Sequence, residues 1–142
     1  MLSVARPVAA VTLGCYVLAV TVVLLTADPS LSTDVIDRTE RLLDEQGAPA
    51  WVTWGERVQL MLNALMFAPI TALASIAMPR YPWGNWVAYA FVGSGLVEVV
   101  QAFVLAPRSA QYVDVVANTL GGLIGALLVV PLTGWMRRVT AE

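Results

Sequence analysis

"GLVEVVQAFVLAPRSAQYVDVVANTLGGLIG", residues 95–125, decides the fold. It contains two runs apolar enough for lipid, yet Glu98 and Gln101 sit in the first, and Asp114 and Asn118 open the second. The connection between them, "PRSAQY" (107–112), is short and polar and reads as a turn joining antiparallel neighbours. Glu98 and Gln101 are three apart and Asp114 and Asn118 four apart, so each pair shares one face if the runs are helices. A carboxylate in hydrocarbon is costly and normally faces the interior of a bundle with a partner. The stretch therefore reads as a membrane hairpin with a polar inner face near its turn.

The rest of the chain agrees with a membrane setting. Of its 142 residues, 58% are hydrophobic and only 13% are charged. A soluble domain of this size carries about a quarter charged residues. The net charge of -2 gives no electrostatic footprint for nucleic acid. There is no histidine, which excludes His-based acid–base catalysis and Ser-His dyads, and the lone Cys15 excludes an internal disulfide or a Cys-based metal cluster. No cofactor and no metal are expected.

Four apolar runs, over about 7–26, 58–78, 86–106 and 113–135, each approach the roughly 20 residues that cross a bilayer core as a helix. The expected fold is all-α, a single polytopic membrane domain over 1–142 built as a four-transmembrane-helix bundle. The first run follows Arg6, but it is longer than a signal-peptide core and "LLTADPS" is a poor cleavage site, so a retained span is expected. Between the first two spans, "STDVIDRTERLLDEQG" predicts a short extracytoplasmic amphipathic helix over about 33–46, capped by Ser32 or Thr33 and ended by Gly47. Trp51, Trp54, Trp83 and Trp86 suit the membrane interface. Pro69 and Pro131 predict kinks inside their spans. With Arg137 and Arg138 against the end of the last span, both termini are expected in the cytoplasm.

Helix rise places the polar residues at one depth. Glu98 falls roughly 12 Å and Gln101 roughly 7 Å from the end of the third span, and Asn118 roughly 7–9 Å inside the fourth. Asn63 falls roughly 8–10 Å inside the second, which begins at the same side with Glu56 and Arg57. The expected binding residues are Asn63, Glu98, Gln101, Arg108, Asp114 and Asn118. The expected pairs join Arg108 or Arg57 to Glu98 or Asp114, and Gln101 to Asn63 or Asn118. Gly121 and Gly125 offer a small-residue face for close helix approach, and Gly93 and Gly95 offer another. Three readings fit this layer: a pocket for a polar ligand, an acid–base pair of Glu98 and Asp114 in an intramembrane enzyme, with Ser94 beside Glu98 as a conceivable hydroxyl, or simple helix glue.

"ERVQLMLNALMFAPI" (56–70) followed by "LVEVVQAFVLAPRSAQYVDVVANTLGGLIGALL" (96–128) resembles the VanZ-like family. The resemblance rests on Asn63, Phe67 and Pro69, then Glu98, Gln101, Arg108, Asp114, Asn118, Gly121 and Gly125. The residue after Pro69 is Ile70, where many members have a leucine and glycine following the proline. The resemblance implies a small bacterial multi-pass protein of the cell envelope, linked to resistance against teicoplanin-type glycopeptides. Its implied partners are membrane lipid and a cell-wall precursor or lipoglycopeptide, and it implies no particular reaction.

Overall fold

The computed structural model describes residues 2–25, 29–104 and 111–139. Among them are seven helices: α1 Leu2–Leu25, α2 Pro29–Glu45, α3 Ala50–Thr53, α4 Gly55–Ala77, α5 Trp83–Val104, α6 Tyr112–Leu128 and α7 Val130–Val139. In α1, α4 and α5 the segments Val4–Leu24, Gly55–Ala77 and Trp83–Phe103 are each long and apolar enough to cross a membrane. The fourth candidate is a bent pair of helices, so the structure holds three or four candidate spans among the described residues. The continuous helix expected over 113–135 is instead α6 and α7, bent by 48° at Val129. Pro131 explains the break, because it has no N–H for the Leu127 carbonyl and its ring crowds that carbonyl. Pro69, by contrast, lies inside an uninterrupted α4.

The loop helix α2 starts at Pro29, earlier than the Ser32 or Thr33 cap predicts. Proline suits a first helical position, where its missing N–H has no intrahelical partner to lose. Its other end follows the sequence. Gly47 takes φ +77, its N–H bonds the Asp44 carbonyl, and the Ala48 N–H bonds the Leu43 carbonyl. That is the Schellman arrangement, which needs a residue free to adopt a positive φ. α2 lays Ile36 and Glu40 against Gly55 at the start of α4 and leaves Val35 and Leu42 exposed.

The helix α4 is the centre of the bundle. Its largest contact is with α6, and α1 packs mainly on α4. The α4–α6 seam is tight because α6 presents glycine. A Cβ at Gly121 would collide with the Ala64 carbonyl, and one at Gly125 with the Ala68 carbonyl. Gly122 faces the other way, where a Cβ would come within 2.6 Å of the Ala90 methyl on α5. The Thr71 hydroxyl crosses the seam to donate to the Gly122 carbonyl at 2.8 Å. Gly93 and Gly95 make no such approach: no atom of another helix lies within 4 Å of a Cβ built at either. α5 meets α6 through Ala90 and Ser94 instead, which leaves its two glycines off that interface.

Candidate functional site

The polar layer assembles where α4 and α6 begin and α5 ends. Asp114, in the first turn of α6, is its hub. The Asn63 amide of α4 donates to Asp114 Oδ1 at 2.8 Å, and the Gln59 amide lies 3.4 and 3.5 Å from the two carboxylate oxygens. Gln59 and Asn63 are one helical turn apart, so α4 offers two amide donors from one face. One turn deeper on α6, the Asn118 amide donates to Ser94 Oγ of α5 at 2.7 Å. Both residues are buried, Ser94 completely, and Asn118 Oδ1 has no hydrogen-bond partner.

Glu98 lies one turn towards the polar end from Ser94 and is 8% exposed. Its Oε2 accepts the backbone N–H of Gln111 at 2.9 Å. Gln111 is the residue just before α6, where N–H groups lack intrahelical partners. The carboxylate thus ties the end of α5 to the start of α6. Gln101 turns the other way. Its amide donates to the Leu24 carbonyl at 2.8 Å, one of the carbonyls that the last turn of α1 leaves open.

The structure therefore brings Asn63, Asp114, Asn118 and Glu98 into one region between α4, α5 and α6. It places Gln101 on the α1 side of α5, bonded to backbone and to neither Asn63 nor Asn118. Arg57 also stays apart from the carboxylates. Its guanidinium donates to the Trp51 carbonyl of α3 and lies 5.5 Å over the Trp54 ring, so these two tryptophans hold it. Arg108 lies outside the described residues. The sequence reading missed Gln59, which sits four residues before Asn63 on the same face. That spacing was the available signal. It also missed Thr71, whose sequence context is plain apolar helix.

Asp114 accepts from side-chain amides of α4 and Glu98 from the backbone N–H of Gln111. Ser94 Oγ is engaged by an amide, with Glu98 bonded elsewhere to Gln111. Below the layer, Gly121 and Gly125 bring α6 against the backbone of α4, and Gly122 brings it against the Ala90 methyl of α5. The helices are therefore packed most closely on the side of the polar residues away from the α5–α6 connection.

The chain belongs to the VanZ/LLP1 family, whose model matches residues 11–135. The match runs from within α1 to within α7 and takes in all of α4, α5 and α6 with their polar residues. No curated protein and no solved structure matches the chain.

Proposed function

We propose that this VanZ/LLP1 protein is a non-enzymatic component of the bacterial cell envelope, and that its polar layer faces outward and binds the polar head of an amphiphile. The head belongs to a membrane lipid, a lipid-linked cell-wall precursor or a lipophilic glycopeptide of the teicoplanin type. In this reading Gln59, Asn63, Asp114 and Asn118 supply hydrogen bonds and Glu98 fixes the entrance of α6. Arg108, by its sequence position, adds a cation for an anionic head. Contribution to glycopeptide resistance follows if that head is part of the antibiotic or its target.

The observation that carries the reading is the Asn63–Asp114 bond of 2.8 Å, which sets amides and a carboxylate from two helices at the level of Glu98. The close glycine contacts below the layer suit a dead-end binding site better than a conduit. Simple helix glue would use the same bonds, and experiment separates the two. Asp114→Asn, Glu98→Gln and Arg108→Ala are made separately in the full chain. Each is scored for unfolding in detergent, for binding of labelled anionic and zwitterionic lipids, and for lipoglycopeptide susceptibility of the cells. The binding role predicts folded variants with altered head-group preference or susceptibility. Three folded variants indistinguishable from the parent in both would reduce the layer to glue.

A further inference from the structure

A second feature lies on the other side of α5. An apolar groove of about 290 Å³ runs between α1 and α5 with α4 as its floor. Leu13 and Val17 of α1, Phe67 and Ile70 of α4, and Gly93 and Val97 of α5 line it. We propose that this groove seats one hydrocarbon chain of a membrane lipid, and that Gly93 keeps the seat open. The lipid's head is then the ligand of the polar layer. That link rests on the function proposed above, whereas the seat of the chain does not.

The physical grounds are independent of one another. The groove lies among membrane-crossing helices, so hydrocarbon is the medium that reaches it. Its wall is apolar almost throughout, and water is stable in a cavity only with two or more polar partners. An unfilled void would forfeit the dispersion contacts of every lining atom. The groove follows the helices for about 16 Å, along α1 from Leu13 to Leu24 and along α5 from Trp86 to Val97. That is the direction in which a lipid chain lies. Its upper end lies at the level of the polar layer: Val97 precedes Glu98 in α5, and the Gln101 amide of α5 bonds the Leu24 carbonyl of α1 there.

Gly93 is the most telling residue. Glycine weakens a helix interior. At Gly121 and Gly125 that weakness is offset by backbone contact with α4, but at Gly93 no atom of another helix comes within 4 Å of a built Cβ. The missing side chain makes room for something that is not protein. Gly95 is equally open but does not line the groove, which makes it a matched control.

The test uses the full chain in vesicles of phosphatidylglycerol and phosphatidylethanolamine. The probe is a phosphatidylglycerol carrying a diazirine on one acyl chain. After illumination, labelled residues are mapped by mass spectrometry. Label is expected on the groove walls of α1, α4 and α5, with a several-fold loss in Gly93→Leu and no loss in Gly95→Leu. Labelling spread evenly over outward residues such as Val8 and Phe103, or an equal response of the two glycine variants, overturns the seat. Displacement of the label by a soluble lipoglycopeptide would give the groove to a different occupant and also overturn it. Retained groove label in Asn63→Ala, with head-group preference unchanged from the parent, would sink the polar-layer reading and leave the seat standing.

Discussion

At Asp114 the two described side-chain donors differ sharply in quality. The Asn63 bond, at 2.8 Å, has the length of a good charge-assisted hydrogen bond, whereas the Gln59 contacts, at 3.4 and 3.5 Å, are at the edge of bonding. Hydrogen bonds to charged groups contribute about 1.5–3 kcal/mol in soluble proteins, and membrane hydrogen bonds average nearer ~0.6 kcal/mol. Asn63→Ala should therefore lower stability by about 1–2 kcal/mol, and Gln59→Ala by less than about 0.5 kcal/mol, in detergent unfolding titrations. Equal losses would mean that α4 holds the carboxylate through both amides alike. The sequence shows why Asn63 is visible and Gln59 is not: an amide deep in an apolar run stands out, while one near a charged helix end looks like ordinary interface. Gln101 exposes the opposite weakness of such reading. Its depth marks it as buried, but depth alone does not reveal that its partner is the Leu24 carbonyl, because backbone acceptors leave no trace in a residue pattern.

At the scale of elements, glycine has two distinct uses that spacing does not distinguish. Gly121 and Gly125 let α6 reach the backbone of α4, while Gly93 and Gly95 approach no other helix. Gly121→Ala should cost about 2–3 kcal/mol, the upper range for forcing a methyl into a packed core, because the Ala64 carbonyl cannot move without separating α4 from α6. Gly93→Ala should instead gain about 0.5–1 kcal/mol through helix propensity alone. Opposite signs in one unfolding assay would check both. The bend between α6 and α7 is the second element-level feature. Proline at 131 is plain in the sequence, but whether it curves a helix or breaks it depends on the neighbours that satisfy the freed carbonyl. Pro131→Ala should straighten the pair, so spin labels at Val116 and Arg138 should move towards the ~33 Å of a straight helix. An unchanged distance would assign the bend to the packing of α7, where Met136 and Thr133 are buried, rather than to proline.

Over the whole molecule, the helices divide into two zones. Towards one face α4, α5 and α6 gather amides and carboxylates; towards the other they close through glycine, alanine and the buried Trp86. The four apolar segments and their order were legible because lipid demands long, uncharged helices, a requirement that composition reveals directly. The shared depth of the polar side chains was legible from helix rise. Which side of each helix meets which neighbour was not, since hydropathy is nearly uniform around a lipid-embedded helix. The central claim is that the layer communicates with one surface only. In a Cys15→Ser background, Gln59→Cys and Asn63→Cys probe the layer and Ser75→Cys, nearly isosteric and buried, probes the closed zone. A small membrane-impermeant thiol reagent is applied to each side of sealed vesicles in turn. The account predicts modification of 59 and 63 from the outer side alone and of 75 from neither; reaction at 59 and 63 from both sides, or at 75 from either, would contradict it.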